Sequence, residues 1–307
     1  MIDWEKNILD DLLTLLIDHR GKTPKKMGGD WQETGIPAIS ANNIKNGRII
    51  RRNTIKYVNE ELYKKWMKEE LRSQDIILTS EGALWGELMV LTKEIKFVLS
   101  QRLYALRCNK DKIIPMFLYY YLKSSKGQYE LKSKQTGATA PGIRQTLLRK
   151  VNVIYPNKNI QQKIASVLSA YDNLIENNTR RIQILEEMAQ RIYKEWFVDF
   201  KYPGHENDEL VDSELGMIPE GWEIKSIEQI STINRGRSYK SVEIKEGLPF
   251  INLKSINRQG GYKSDGLKKY SGIYKDSHVV KPNDIVIAVT DMTQDRAIVG
   301  RAARVPY

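Results

Sequence analysis

Residues 132–151, KSKQTGATAPGIRQTLLRKV, interleave Lys132, Lys134, Gln135, Thr136, Thr139, Arg144 and Gln145 with Gly137, Ala138, Ala140 and Gly142. The small residues are too small to pack a core and leave the backbone able to approach a ligand closely. Cations on such a loop hold phosphates, while amide, hydroxyl and guanidinium groups can read base edges. A short helix expected at 144–149 would add N-terminal amides that favour anions. The mixture suits DNA better than a purely lysine patch would.

Related chemistry stands at three other places. Residues 79–88, TSEGALWGEL, present Ser80, Glu81 and Trp85 as acceptors, donors and a stacking face, with Gly82 and Gly86 for tight turns. A plain hairpin is the alternative there. Residues 19–26, HRGKTPKK, gather Arg20, Lys22, Thr23 and Lys25 around Gly21 and Pro24. That loop contacts phosphate or is a solvated basic turn. Asn42, Asn43 and Lys45, in the run that starts at Gly35, complete the first set of candidate contacts.

Enzyme signatures are scarce. The chain has no Walker A sequence, no GxGxxG between strand and helix, no HExxH and no paired Cys-x-x-Cys. None of its three histidines, His19, His205 and His278, sits with a Ser or Cys in a nucleophile motif. Asp75 and Asp284 each follow a turn just before a strand, a common place for a structural Asp. No catalytic residue and no metal ligand is expected.

Composition sets the frame. The 307 residues carry a net charge of +11, which attracts polyanions, although lysine-rich proteins of heat-adapted organisms also run positive. A hydrophobic fraction of 41% is enough for real cores and argues against wholesale disorder. The single Cys108 allows no intrachain disulfide, and neither a secretory leader nor an apolar run of membrane-spanning length is present. A cytoplasmic protein is expected. Residues 157–200 are nearly balanced in charge, so the basic excess lies on the flanking regions.

Those flanking regions repeat. Trp4-Glu5, a basic turn at 19–22, GIPAISANNIKNG from Gly35, QDIILTS around Asp75 and Gly86 recur in order. Their counterparts are Trp222-Glu223, the turn at 234–237, GLPFINLKSINRQG from Gly247, NDIVIAVT around Asp284, and Gly300. A period of about 210 to 220 residues means two copies of a whole domain, not a solenoid. Arg235, Arg237 and Lys254 are the second copy's candidate DNA contacts. Within the first copy, strands are expected at 36–40, 75–79, 96–99, 103–106 and 151–154, and helices at 5–16, 59–68, 115–125 and 144–149. Helices and strands do not alternate, so an α+β domain with a mixed or mostly antiparallel sheet is expected.

Between the copies lies one long helix. Ile160, Ile164, Val167, Tyr171, Leu174, Asn178, Ile182, Leu185, Met188 or Ala189, Ile192 and Trp196 fall at steps of three and four, and no Pro or Gly interrupts residues 157–202. About forty residues make a rod on the order of 60 Å. With one apolar stripe it must pack against another helix, in cis or from a second chain. Ile164, Leu168, Tyr171, Ile175, Ile182, Leu185, Ile192, Trp196 and Phe197 are the candidate partner-binding residues. Asn177 and Asn178 fall at or beside the seam, where a buried amide sets register. The aromatics Tyr193, Trp196, Phe197 and Phe200 form a core plug or a docking patch. The organisation expected is 1–156 recognition domain, 157–201 spacer helix, 202–218 linker and 219–307 partial second recognition domain.

These residues resemble the target recognition domains of type I restriction-modification specificity subunits. The spacer-helix motif of that family is carried by Pro156, Gln161, Gln162, Ile164, Ala165, Leu168, Asp172, Ile175, Glu176, Ile182, Leu185 and Glu186, and GMIPEGWE from Gly216 looks like its entry into a second recognition domain. The resemblance implies two recognition domains at opposite ends of an antiparallel coiled coil, each reading half of a bipartite site in double-stranded DNA. It implies docking of methyltransferase (M) subunits that supply S-adenosylmethionine chemistry on adenine, an indirect link to a restriction and motor (R) subunit, and no activity or cofactor in this chain. Copy two stops at Tyr307, roughly where copy one has reached residues 85–90. Two expectations stay open: a fragment of a longer subunit, or a shortened subunit that forms a homodimer through its spacer helix. A stand-alone DNA-binding regulator and a coiled-coil adaptor are the other readings.

Overall fold

The computed structural model describes residues 4–137, 141–291 and 295–306. Contacts divide the chain into two units, Met1–Val198 and Asp199–Tyr307.

In chain order the first unit contains β1 (Trp4–Ile8), β2 (Leu13–Asp18), β3 (Ile36–Ile39), β4 (Ile44–Lys45), β5 (Arg48–Ile49), β6 (Lys56–Val58), α1 (Glu60–Trp66), β7 (Ile76–Thr79), β8 (Leu88–Val90), β9 (Val98–Leu99), β10 (Leu103–Cys108), α2 (Pro115–Lys123), α3 (Ser125–Ser133), α4 (Gln145–Leu148), β11 (Asn152–Pro156) and α5 (Lys158–Phe197). Its central sheet is antiparallel, in the order β2-β10-β7-β8, and both faces are covered. Alternation along β7 and β10 sends Ile76, Leu78, Tyr104 and Leu106 into one core with α2, and Ile77, Leu103 and Ala105 into a second core with α1 and β3. A smaller sheet, β6-β3-β9, has one parallel pairing, β3 with β9. The architecture is α+β with mixed but mainly antiparallel sheets.

One expected helix is absent. Residues 5–16 are β1, a 3-10 turn at Leu9–Leu12, and β2. Leu9, Leu12, Leu13 and Leu16 have helical spacing. However, the backbone here finds partners far along the chain: β1 pairs with β11 from Trp4↔Pro156 to Ile8↔Asn152, and β2 pairs with β10. Leu9 and Leu12 are then buried by a tight turn between two strands. Helix α3 was not anticipated; the residues expected to form strands and the other helices do so within a few positions.

Strand β11 leads directly into α5. Asn157 caps the helix by accepting from the Ile160 amide at 3.2 Å, and Gln161, 1% exposed, donates to the Pro156 carbonyl at 2.8 Å while accepting from the Ile114 amide at 2.9 Å. Ala165 and Ile164 pack against the first core. Tyr120 on α2 donates to Asp172 at 2.9 Å, and burial pushes its phenol up to about 12. The 40-residue helix then leaves the domain, and Val167, Tyr171, Leu174, Ile175, Ile182, Leu185 and Ile192 are all exposed.

The second unit contains β12 (Leu210–Val211), β13 (Ile218–Pro219), α6 (Ile227–Ile230), β14 (Leu248–Phe250), β15 (Lys268–Tyr270), β16 (Ile285–Ile287) and β17 (Ala302–Arg304). It reproduces details of the first unit. Ser40 and Asn43 form a reciprocal capping box, and Asn252 and Ser255 form it with the two residue types exchanged. The Asp75 carboxylate accepts from the Arg72 amide at 2.8 Å and the Asp284 carboxylate from the Lys281 amide at 2.8 Å, after Gln74 and Asn283 at φ 74° and 75°. Gly86 donates its amide to Thr79 at 3.1 Å, and Gly300 donates to Ala288 at 2.8 Å. The repeat read from the sequence is a repeat of hydrogen bonds. It is not a repeat of burial: Ile76 is fully covered, whereas its counterpart Ile285 is 68% exposed.

Candidate nucleic-acid interface

Two of the loops singled out by chemistry are stitched together. The hairpin between β7 and β8 is closed by Thr79, whose hydroxyl accepts from the Glu87 amide at 2.9 Å and donates to the Leu84 carbonyl. Residues 136–137 and 141–143 lie along it: Ile143 donates to the Ser80 carbonyl at 2.8 Å and Gly82 to the Pro141 carbonyl at 3.1 Å, with bridges Glu81↔Gly142 and Thr136↔Gly142. Gly142 is required by this approach, because a Cβ there would stand 2.6 Å from the Glu81 Cβ and 2.7 Å from the Ser80 carbonyl oxygen. Trp85 donates through Nε1 to Gln135 Oε1 at 3.0 Å, and Gln128 of α3 donates to the Gly86 carbonyl at 3.0 Å. The indole is thereby held half-exposed against Gln135; on the segment that carries Gln135, Lys132 and Arg144 are also exposed and Lys134, Thr136 and Gln145 half-exposed. Thr139 lies outside the described residues. The helix after this loop, α4, has only four residues, so it adds less to anion binding than a long helix would.

The 19–26 loop is divided in its roles. Arg20 donates twice to Asp18, at 2.9 and 2.8 Å, and its guanidinium lies 4.4 Å from the centroid of the Tyr104 ring. The Asp18 hydrogen bond raises the Arg20 pKa further, and burial raises that of Tyr104, whose hydroxyl donates to the Ile143 carbonyl at 3.1 Å. Arg20 therefore helps, through Tyr104, to fix the backbone at Ile143. Lys22 donates to the Trp66 carbonyl at 2.8 Å, and burial lowers its pKa. Thr23 is half-buried and Lys25 is exposed.

Two expectations are corrected. Asn43, 2% exposed, bonds Ser40 and Thr54, and Ser80, fully covered, offers only its backbone to neighbouring segments. Their side chains belong to the framework and do not reach a ligand. Asn42 and Lys45 beside them are exposed, as are Arg235, Arg237 and Lys254 in the second unit. A basic ridge was missed. Arg48, Arg51 and Arg52 are exposed next to Lys45, and the Asn46 amide donates to Glu87 at 2.8 Å, tying this hairpin to the 79–88 loop. The signal was visible as the charge run RIIRR at 48–52. Asp75 carries no open chemistry: it pairs with Arg107 at 2.7 and 2.9 Å in the interior.

Along α5, Ile164 is absorbed by its own domain, while Leu168, Tyr171, Ile175, Ile182, Leu185, Ile192, Trp196 and Phe197 remain exposed to between 37% and 63%. Among the described residues, no helix is long and apolar enough to cross a membrane.

Comparison with known proteins shows the family. The MjaIX type I restriction enzyme specificity subunit of Methanocaldococcus jannaschii is 37% identical over 48% of this chain and 35% of its own length. The MjaVIII specificity subunit of the same organism is 26% identical over 97% of this chain and 65% of its own. The crystal structure of the type I restriction-modification S subunit from M. genitalium shares the fold, with a TM-score of 0.52 and 20% identity over 93% of this chain and 65% of that one. The chain thus spans about a third to two thirds of the length of these relatives. The family model for the type I restriction modification DNA specificity domain matches residues 1–187, and the chain belongs to that family.

Proposed function

We propose that this chain is the sequence-specific DNA-binding specificity subunit of a type I restriction-modification complex, directing adenine methylation and cleavage that partner subunits carry out. The observation that carries the reading is the stitched surface: Trp85 held by Gln135, flanked by Lys132, Lys134 and Arg144, on a member of a DNA specificity family. Phosphate contacts from the lysines and the ridge Lys45, Arg48, Arg51 and Arg52 position the duplex; Gln135, Thr136, Arg144 and Gln145 reach base edges. The organisation is a recognition domain at 1–156, a spacer helix at 157–201, a linker at 202–218 and part of a second recognition domain at 219–307, with Arg235, Arg237 and Lys254 as its contacts. Methyltransferase subunits, which bring S-adenosylmethionine, dock on the apolar face of α5, and the restriction subunit joins through them in the cytoplasm. The test is to express the chain with the methyltransferase subunit of a type I restriction-modification system from the same source and to map methylated adenines. Methylation at one bipartite motif is the expected outcome; methylation without sequence preference, or none, contradicts the reading.

A further inference from the structure

The segments that build the stitched surface are rich in cations, yet an exposed carboxylate stands among them. Glu81 follows β7 and bridges to Gly142, and its Oε1 lies 2.8 Å from the Arg102 Nε, the two side chains being 43% and 54% exposed. Arg102 comes just before β10. Register places Leu103 against Thr79 and Tyr104 against Asp18, so Glu81, Arg102 and Arg20 project from neighbouring strand ends at one end of the central sheet. The Arg102 carbonyl accepts from the Ser80 amide at 2.8 Å, and its φ is 63°. That left-handed region favours glycine, so the chain accepts backbone strain to keep a guanidinium at this place. An ion pair exposed on both sides adds little to stability, and folding does not account for it.

The other acid of this hairpin is committed to the framework, since Glu87 accepts from the Asn46 amide at 2.8 Å. Glu81 differs: among the described residues its Oε2 has no hydrogen-bond partner. An ionised carboxylate accepts hydrogen bonds and donates none. In the major groove guanine presents the acceptors N7 and O6, thymine presents O4, and adenine presents N7 beside its amino group, and a carboxylate repels each of these acceptors. Cytosine presents the N4 amino donor with no acceptor beside it. We propose that Glu81 reads a cytosine through its N4 amino group, and that Arg102 is the positioning residue that holds the carboxylate and offsets its repulsion of the phosphates. This rests on the reading of the stitched surface as a DNA contact. Glu81 then supplies selectivity without affinity, because its charge opposes the duplex except at a cytosine, whereas Lys132 and Lys134 attract every duplex alike.

The test is selection of bound duplexes from a random library by the whole chain together with the same methyltransferase subunit. Native protein is compared with Glu81→Gln, Arg102→Ala and Arg102→Lys. The native chain is expected to require cytosine at one position of its motif. Glu81→Gln should exchange that cytosine for adenine, because an amide accepts from N6 and donates to N7, with a change of preference of about tenfold or more there and none at other positions. Its binding to random duplex should strengthen, as a like charge has gone. Arg102→Ala should lower discrimination at the same position about tenfold, and Arg102→Lys, which keeps the charge without the planar fork, should retain part of it. Melting temperatures should match the native one in all three variants. An unchanged motif in Glu81→Gln, or a loss spread over all positions with a lower melting temperature, as a structural role would give, overturns the proposal. A native chain without sequence preference defeats the functional reading and the inference with it; a selective native chain whose motif Glu81→Gln leaves intact defeats the inference alone.

Discussion

Trp85 and Gln135 meet across the cleft between two loops, the indole Nε1 donating to the amide Oε1 at 3.0 Å. One residue comes from the β7–β8 hairpin and the other from the basic segment before β11, so the bond fixes a stacking face among cations. Gln135→Ala removes the only described bond that orients the indole side chain. Because the bond is exposed, thermal stability should change by less than about 1 kcal/mol. Preference for a specific duplex over random DNA in competition binding should fall about tenfold, a loss in specific affinity alone.

Gly142→Ala should behave differently. Its Cβ would stand within 2.7 Å of the Ser80 carbonyl oxygen and closer still to Glu81, so the two loops must separate. Overpacking of this kind costs about 1–3 kcal/mol. Chemical denaturation should register that loss, and DNA binding should weaken with it.

The duplicated aspartates separate burial from local geometry. Asp75→Ala takes away the buried carboxylate that pairs with Arg107, whose guanidinium is 17% exposed and keeps its bond to the Glu70 carbonyl, so the loss should fall at or below the low end of the range for a buried pair, about 2–3 kcal/mol. Asp284→Ala loses a hydrogen bond to the Lys281 amide at an exposed site, about 1 kcal/mol. Denaturation midpoints of the two variants check the difference.

Acid should weaken the first unit through His19. The ring is buried with Nδ1 3.2 Å from the Met67 sulfur, and burial, followed by the nearby Lys22 charge, lowers its pKa below 6.5. The unfolded chain then binds a proton more readily than the folded one. The contribution is intact above the unfolded value of about 6.5, and stability declines as pH falls below it. His19→Gln should flatten the stability profile between about pH 6.5 and 5, measured by denaturation at each pH.

The sequence made some of this legible and hid the rest for physical reasons. The rod from Lys158 to Phe197 was readable because one helix carries its whole pattern locally. The segment before Asp18 was not: its leucines have helical spacing, and the strands that claim its backbone lie near residues 104 and 154. Composition singled out the three loops, yet it could not distinguish exposed Asn42 from buried Asn43, whose amide serves the capping box. Nor could spacing show that Gly142 touches Glu81.

The most direct test of the DNA-reading surface is salt-dependent binding of the chain and its Lys134→Ala and Arg144→Ala variants to its methylated motif and to random duplex. Each variant is expected to lower the slope of log affinity against log salt by about one, and Arg144→Ala also to reduce discrimination between the two duplexes. Unchanged slopes and unchanged discrimination in both variants would contradict the assignment of this surface to DNA.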